Sequence, residues 1–155
     1  MRKVRLAINV SLDGYLARPN GALDWVFRTM TSVQQAWTTD FLREVDTILV
    51  GHTTYLEQAA FWPTQTGEMA DLMNSHTKIV FSSRLRALEW TNSRLAICDV
   101  TEEIARLKRE PGRDIYVTGG AARSIPFPKR THRRVQPDHS PGFPGERNAA
   151  LWRDV

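Results

Sequence analysis

Short apolar runs separated by polar turns characterise the first 119 residues of the chain. In the first run, residues 3–11, apolar side chains alternate with polar or small ones, so an extended strand there has one apolar face. Four further runs are compact and end in Gly, Ser or Asp: residues 45–51, 78–83, 94–99 and 114–119. Near-continuous apolar runs of this length are typical of central strands that are covered on both faces. The pattern therefore predicts five strands.

Helical spacing lies between these strands. Apolar residues recur at three- or four-residue intervals at positions 37, 41 and 45 and again at positions 69, 72 and 73. A further helix is predicted to begin at Thr101, which resembles an N-cap because two glutamates follow it in the first turn. Pro111-Gly112 would end this helix. Strands that alternate with helices predict a layered α/β fold around a mostly parallel sheet.

The composition is that of a single soluble, globular domain. The 155 residues are 41% hydrophobic and 25% charged, and no apolar run approaches the roughly 20 residues that span a bilayer. The strand pattern begins at residue 3, so no secretory signal is expected. Cys98 is the only cysteine, which excludes an internal disulfide and a cysteine-rich metal site, and the cytoplasm is the expected compartment.

The net charge of +4 lies entirely in the last 33 residues. Residues 1–122 hold 14 basic and 14 acidic residues, whereas residues 123–155 hold 7 basic and 3 acidic residues and 5 of the 8 prolines. Because prolines interrupt helices and central strands, we expect residues 123–148 to be irregular and residues 149–155 to dock as a short element. A shifted reading frame or strong divergence would each produce so abrupt a change. No nucleic-acid partner is expected; the alternative, binding through the basic tail, would show a steep salt dependence.

The turns at the predicted strand ends carry residues that suit a phosphate ligand. In an open α/β sheet, ligands bind beyond the carboxyl ends of the strands. Those ends carry Ser-Leu-Asp-Gly at 11–14, Gly-His-Thr-Thr-Tyr at 51–55, Ser-Ser-Arg at 82–84 and Gly-Gly-Ala at 119–121. Glycine lets a backbone approach an anion, and hydroxyl and guanidinium groups bind phosphate oxygens. One such motif is more often only a turn, but four at one edge predict a phosphate ligand the size of a dinucleotide.

Several familiar site patterns are absent from the sequence. It contains no G-x-G-x-x-G dinucleotide fingerprint, no G-x-x-x-x-G-K-[ST] phosphate loop and no G-x-S-x-G nucleophile elbow. The four histidines, at positions 52, 76, 132 and 139, lack the spacing of metal ligands, so no metal site is expected. The dinucleotide prediction therefore depends on the four turns together.

Collinear segments across residues 3–122 carry a family resemblance. They are Ser-Leu-Asp-Gly-Tyr-Leu-Ala at 11–17, Ile-Leu-Val-Gly-His-Thr-Thr-Tyr at 48–55, Lys-Ile-Val-Phe-Ser-Ser at 78–83 and Ile-Tyr-Val-Thr-Gly-Gly-Ala at 115–121. Together they resemble the dihydrofolate-reductase-like superfamily, and more narrowly the branch that includes the reductase domain of the bifunctional riboflavin-biosynthesis deaminase-reductase. The second segment departs from the family's G-R-x-T pattern, because His52 stands in place of the arginine. A neutral imidazole is a weaker partner for a phosphate than a guanidinium.

The resemblance implies a three-layer α/β/α fold and an NADPH-dependent reductase. In the family, the strand-end turns hold the cofactor phosphates, and the loop after the first strand covers the nicotinamide and the substrate. Carried over to this chain, the cofactor-binding residues are Ala7, Gly14, Gly51, Thr53, Thr54, Ser82, Ser83, Arg84, Thr118, Gly119, Gly120 and Ala121. The substrate-binding residues are Asn9, Ser11, Tyr15 and Trp25.

The proton donor is the least defined part of this resemblance. Folate reductases carry an acid on the helix after the tryptophan, but residues 26–30 contain no carboxylate, so reduction of dihydrofolate is not expected. Asp13 and Asp24 are the candidate catalytic acids. The alternatives are a β-turn at Asp13 and a helix N-cap at Asp24, and Trp25 fits a core position as well as a pocket wall.

The leading activity that the resemblance implies is the reduction of 5-amino-6-(5-phosphoribosylamino)uracil in riboflavin biosynthesis, by a homodimer. The alternative is a catalytically inactive, nucleotide-binding remnant, because the family continues after Gly119-Gly120 with a helix and strands that residues 123–138 do not match. We therefore divide the chain into a reductase domain at 1–122 and an atypical segment at 123–155, with C-terminal strands altered or missing. Missing strands would leave one edge of the sheet unpaired.

Overall fold

Seven strands form one sheet in the described part of the protein. The computed structural model describes residues 1–11, 26, 28–119, 134–137 and 148–154. The strands are β1 (Val4–Ser11), β2 (Val45–Gly51), β3 (Thr77–Phe81), β4 (Ser93–Leu95), β5 (Asp114–Thr118), β6 (Arg134–Pro137) and β7 (Asn148–Asp154). Their order across the sheet is β4-β3-β2-β5-β1-β7-β6. Strands β1 to β5 run parallel, whereas β7 pairs with β1 and β6 pairs with β7 in the antiparallel sense.

Helices cover both faces of this sheet. They are α1 (Ser32–Glu44), α2 (His52–Phe61), α3 (Glu68–Ser75) and α4 (Val100–Leu107), and a 3-10 turn (Trp62–Thr64) follows α2. In β2, Leu49 belongs to the same apolar cluster as Val100 and Leu107 of α4. Its neighbours Ile48 and Val50 face the other way and belong to the cluster that includes side chains of α1, α2 and α3. The predicted three-layer α/β/α architecture is therefore confirmed for the described residues, among which no helix is long and apolar enough to cross a membrane.

The five predicted strands are confirmed; β1 and β5 each lack one terminal residue of the predicted range, and β3 and β4 end earlier by two and four residues. β3 ends at Phe81 rather than at residue 83, because the chain turns there. The Ser82 hydroxyl closes this turn by accepting hydrogen bonds from the backbone amides of Arg84 and Leu85, each at 3.1 Å. β4 ends four residues earlier than predicted, since residue 99 already caps α4.

Side-chain caps fix where two of the helices begin. Thr31 caps α1: its hydroxyl accepts from the backbone amide of Gln34 at 3.2 Å, and the Gln34 side chain accepts from the amide of Thr31 at 2.9 Å. The prediction that Thr101 caps α4 is wrong. Asp99 is the cap, because its carboxylate accepts from the amide of Glu102 at 2.9 Å, while Thr101 already lies inside the helix.

The tail contributes strands to the sheet. β7 pairs with β1 over seven residues, from Arg5 opposite Asp154 to Ser11 opposite Asn148. Of the two expected alternatives, altered or missing C-terminal strands, the structure excludes missing strands and an unpaired edge at β1. The docking of the final residues as a short element is confirmed. Part of the interval predicted to be irregular forms β6, which is the outermost strand, and Pro137 is its last residue. Proline is tolerated there because an edge strand does not need every backbone N–H for pairing.

A buried lysine joins α3 to the sheet. Lys78 of β3 is fully buried, and its ammonium group donates to the carbonyl oxygens of Met73 at 3.2 Å and Asn74 at 2.9 Å, at the end of α3. The same nitrogen lies 4.3 Å from the ring centre of Trp90, whose indole N–H donates to Asn74 Oδ1 at 2.7 Å. Burial lowers the pKa of Lys78 from 10.5 to about 8. The ammonium group thus satisfies helix-terminal carbonyls that would otherwise be buried without a partner.

Candidate functional site

The turns that follow β2, β3 and β5 lie at one edge of the sheet. In the sheet register, Gly51 of β2 is opposite Phe81 of β3, and Val50 of β2 is opposite Thr118 of β5. The carboxyl ends of these three parallel strands are therefore level to within one residue. The structure thus brings residues 51–54, 82–84 and 118–119 together, as the turn chemistry predicts, and we call this group of residues the rim.

Gly119 packs its backbone directly against the first turn of α2. Its φ of +60° is in the left-handed region, where a side chain is strained. A β-carbon at this position would lie 2.1 Å from Thr54 Oγ1 and 2.7 Å from Thr54 Cβ, and both distances are steric clashes. Two independent constraints therefore require glycine at the point where β5 meets α2.

The N-terminus of α2 opens onto the rim. The helix begins at His52, immediately after β2 ends, and its cap is Gly51, which offers no side chain to the first amides. The first turn contains no acidic residue. Exposed Thr53 and half-buried Thr54 supply hydroxyl groups in that turn. Free amides and the positive end of a helix dipole favour an anion at such a position.

A hydrogen bond joins the turn after β3 to the start of α2. His52 Nδ1 and Ser82 Oγ are 2.9 Å apart. Ser83 and Arg84, which follow in this turn, are both exposed. The rim therefore presents an imidazole, hydroxyl groups and a guanidinium group around the N-terminus of α2. Helical and strand patterns in the sequence do not reveal the pairing of His52 with Ser82, because the two residues lie 30 positions apart.

β1 continues beyond the last residue that pairs with β5. The pairing ends with Leu6 opposite Val117, whereas β1 runs on to Ser11. Ala7 packs against the cluster on the face that α1 covers, and the alternation of a strand places Asn9 and Ser11 on the same face. Of these three residues, Asn9 is exposed and the other two are half-buried. These three residues of β1, which the resemblance assigns to the cofactor and the substrate, therefore adjoin the β5 end of the rim, and we call them the floor of the candidate site.

Tyr116 links this floor to the rim. Its hydroxyl donates to the carbonyl oxygen of Ala7 at 3.3 Å, and its ring meets Phe41 edge-on with ring centres 5.0 Å apart. Burial raises the pKa of Tyr116, and a hydrogen bond with the Thr118 side chain opposes that effect. The apolar pattern places Tyr116 only within a strand. The signal that could have identified it is a tyrosine two positions before the strand-end threonine.

Seven of the predicted site residues lie outside the described residues. They are Asp13, Gly14, Tyr15, Asp24, Trp25, Gly120 and Ala121. The covering loop and both candidate acids therefore stay predictions. Among the residues that the structure describes, no group of three or more His, Cys, Asp or Glu side chains is arranged to hold a metal ion.

Comparison with known proteins gives one family and several relatives. The model of the RibD C-terminal domain family matches residues 2–124. The chain is 32% identical over 127 residues to the uncharacterized protein YyaP of Bacillus subtilis (strain 168), covering 78% of this chain and 64% of that protein. It is 29% identical over 120 residues to the uncharacterized protein YwjB of the same strain, covering 77% of this chain and 65% of that protein. The matched region thus spans about two thirds of the length of these relatives.

A solved structure shares the fold. A protein from Shewanella sp. PV-4, provisionally assigned to riboflavin biosynthesis, superposes with a TM-score of 0.56 over 98% of this chain and 97% of that chain. The two sequences are 16% identical, so this likeness concerns the fold alone. The structural superposition covers residues beyond 124, where the family match ends.

Proposed function

Because the chain belongs to the RibD C-terminal domain family, we propose that it is an NADPH-dependent reductase that acts on a small heterocyclic substrate. The observation that carries this proposal is the meeting of three turns at the rim. Gly119 lies against Thr54, and Ser82 is hydrogen-bonded to His52. Each turn alone is weak evidence, but together they surround the N-terminus of α2 with groups that bind phosphate.

The rim residues fit a cofactor that carries several phosphate groups. The N-terminus of α2, whose cap residue Gly51 has no side chain, offers amides, and the close approach of Gly119 keeps side-chain atoms out of the junction between β5 and α2. In this proposal the pyrophosphate lies against Gly51, Thr53, Thr54, Thr118, Gly119, Gly120 and Ala121. The 2′-phosphate is bound by Ser82, Ser83 and Arg84.

NADPH, when bound, supplies the hydride, and the protein positions the reactants and excludes water. We assign Ala7 and Gly14 to the nicotinamide side of the cofactor and Asn9, Ser11, Tyr15 and Trp25 to the substrate. Asp13 and Asp24 are the proposed proton donors. The Tyr116 hydroxyl holds the Ala7 carbonyl, so it helps to position β1 at the floor of the site.

The proposed substrate resembles the ribosylaminopyrimidine that the family's reductases act on, 5-amino-6-(5-phosphoribosylamino)uracil. The family match supports a role in or near riboflavin biosynthesis. We propose that the active form is a cytoplasmic homodimer, with residues 1–122 as the reductase domain and residues 123–155 as an altered C-terminal segment.

A nucleotide-binding protein without catalytic activity is the second candidate. Two observations favour it: residues 26–30 contain no carboxylate, and the family match ends at residue 124, where the basic, proline-rich segment begins. This candidate predicts cofactor binding without turnover.

Thermal unfolding with NADPH, with NADH and without cofactor tests the proposed function. At a concentration about 100 times its Kd, a ligand that binds only the folded state adds about 2.7 kcal/mol of stability. We expect NADPH to raise the Tm and NADH at the same concentration to leave it unchanged. Loss of NADPH absorbance on addition of the pyrimidine substrate then separates the reductase from the inactive candidate. A Tm that neither nucleotide changes would refute both candidates.

A further inference from the structure

A group of arginines lies at the edge of the sheet opposite to the rim. The parallel strands β1 to β5 begin at this edge, so the seven residues of β2, at about 3.3 Å per residue, separate it from the rim. An open cavity of about 500 Å³ lies there. Its guanidinium groups come from the segments before β1 and β5, from β4 and from α4, and belong to Arg2, Arg94, Arg106 and Arg113. We call this space the basic cavity.

Arg2 is fixed in the wall of the basic cavity by buried partners. Its side chain is only 5% exposed and forms an ion pair with Asp46. It also donates to the Thr47 hydroxyl at 2.7 Å and to the carbonyl oxygen of Arg113 at 2.6 Å. A guanidinium group held in this way does not need to be ordered when a ligand binds.

A buried carboxylate fixes two more of the arginines. Arg94 and Arg106 both donate to the same carboxylate oxygen of Glu103, whose side chain is fully buried. Burial by itself would raise the pKa of Glu103, but the hydrogen bonds from the two arginines outweigh it and lower the pKa to about 2. Glu103 therefore stays ionised at neutral pH and holds both guanidinium groups beside the cavity.

Positive charge exceeds negative charge around the basic cavity. Two carboxylates line it, those of Asp46 and Glu110, and Glu103 contacts two of its arginines. His76 also lines the cavity, but burial lowers its pKa, so it adds no charge at neutral pH. Four guanidinium groups thus face three carboxylates, which leaves one positive charge uncompensated.

Two of the arginines have donors to offer to a ligand. Among the described residues the guanidinium group of Arg113 forms no ion pair, and it donates to the carbonyl oxygen of Arg43 at 2.8 Å. Arg106 uses two of its nitrogens on Glu103 and Glu110, whereas its Nε is buried and has no hydrogen-bond partner in the described part of the chain. A buried N–H without an acceptor is unfavourable, so an acceptor oxygen from a ligand would stabilise this arrangement.

We propose that the basic cavity is a second ligand site, which binds the phosphate group of a small molecule. Guanidinium groups bind phosphate oxygens through paired N–H donors, and one phosphate accepts from several of them. It would supply the acceptor that Arg106 Nε lacks and neutralise the charge of Arg113. Such a group can come from free phosphate or from a phosphorylated metabolite. The proposal is independent of the proposed function, since the rim lies at the other end of the strands.

A purely structural role for these arginines makes a different prediction. Helices α1, α3 and α4 end at this edge, and the carbonyl oxygens at helix ends attract cations, as the bond from Arg113 to Arg43 illustrates. If the arginines only satisfied helix ends and Glu103, phosphate would affect the basic cavity no more than chloride does at the same ionic strength.

NMR titration of the ¹⁵N-labelled full-length protein tests the site. The probes are inorganic phosphate and ribose 5-phosphate, with sodium chloride at equal ionic strength as the control. We expect both phosphates to shift the Arg106 Nε–H resonance and the backbone amides of residues 75–77 and 112–113 in a saturable way, and chloride to leave them unchanged. A Kd for ribose 5-phosphate at least threefold below that of inorganic phosphate would identify a phosphorylated metabolite as the ligand. Equal or weaker binding would identify free phosphate.

Variants assign the binding to particular groups. Arg113→Gln should raise the Kd for inorganic phosphate about tenfold, because it removes the guanidinium group that has no acidic partner. Arg106→Lys keeps the charge but removes the Nε–H, and it should also weaken binding. Arg109→Gln is the matched control, since it removes the same charge at an exposed position that does not line the basic cavity, and it should leave the Kd unchanged.

Three results would overturn the proposal. The first is a response to phosphate that equals the response to chloride. The second is a wild-type Kd in both Arg113→Gln and Arg106→Lys. The third is equal weakening by Arg109→Gln and Arg113→Gln, which would show only general attraction of anions. The amides of residues 52–54 report separately on the rim, so a shift there with NADPH would leave the proposed function standing even if the basic cavity binds nothing.

Discussion

Replacing Lys78 with methionine should change how the stability of the protein depends on pH. The lysine is fully buried, its ammonium group is held by the carbonyl oxygens of Met73 and Asn74, and burial lowers its pKa from 10.5 to about 8. An unfolded chain exposes the same group to water, where its pKa returns to the ordinary value. The folded protein therefore releases this proton at a lower pH than the unfolded protein does.

The sign and size of the effect follow from proton linkage. Between about pH 8 and pH 10.5 the unfolded chain binds more protons than the folded one, so the free energy of unfolding rises with pH in that window. The difference between the two pKa values corresponds to about 3 kcal/mol. At neutral pH, Lys78→Met removes a costly buried charge but also two hydrogen bonds and a contact with Trp90, each contributing about 1 kcal/mol, so these changes nearly cancel.

Urea denaturation followed by circular dichroism, at a series of pH values from about 7 to 10, measures this difference. We expect wild type and Lys78→Met to be similar in stability at pH 7 and wild type to be more stable by about 3 kcal/mol near the upper end of the window. Lys3→Met, which removes an exposed lysine, is the control for general effects of alkaline pH. A difference between wild type and Lys78→Met that stays constant across the series would refute the reasoning.

Two further substitutions test the rim and the helix boundary. Gly119→Ala should destabilise the protein by more than the roughly 1–2 kcal/mol expected from left-handed strain alone, because the new β-carbon strikes Thr54. Gly67→Ala is the control: Gly67 has a φ of +100°, but no atom lies within 4 Å of the added carbon, so this variant measures strain without a clash in the same urea assay. Equal losses of stability in the two variants would refute a destabilising contact between the new β-carbon at position 119 and Thr54. Asp99→Ala should cost about 1 kcal/mol through loss of the α4 cap. Thr101→Ala should cost less in thermal unfolding, and the reverse order would restore the original prediction for this helix.

The periodic segments were predictable because their pattern carries the signal within a few residues. Alternation in residues 3–11 and the compact apolar runs identify the five parallel strands, and helical spacing identifies α1 and α3. The ends of elements are less predictable, since single hydrogen bonds decide them. Ser82 ends β3 by binding two amides, and Asp99 begins α4 although Thr101 also has the chemistry of a cap.

The chemistry of the rim could be predicted from short segments of the sequence, but the contacts within it could not. Glycine, hydroxyl and guanidinium groups at strand ends predict a phosphate ligand, because parallel strands bring their carboxyl ends to one edge. The close contact of Gly119 with Thr54 and the hydrogen bond between Ser82 and His52 depend on the register of β2 with β3 and β5, which no short segment contains. The candidate acids and the loop after β1 remain predictions from the sequence.

The amino-acid sequence by itself determined the class of fold, the turns that meet at the rim and the chemistry that those turns offer. Tertiary structure decided which partners the polar side chains find: the ammonium group of Lys78 contacts the ring of Trp90, and the Tyr116 hydroxyl donates to the Ala7 carbonyl. It also decided that the tail pairs with β1. The physical reason is one of range. Patterning and capping act over a few residues, whereas burial, register and the pairing of an edge strand depend on groups that are distant in the chain and adjacent only after it folds.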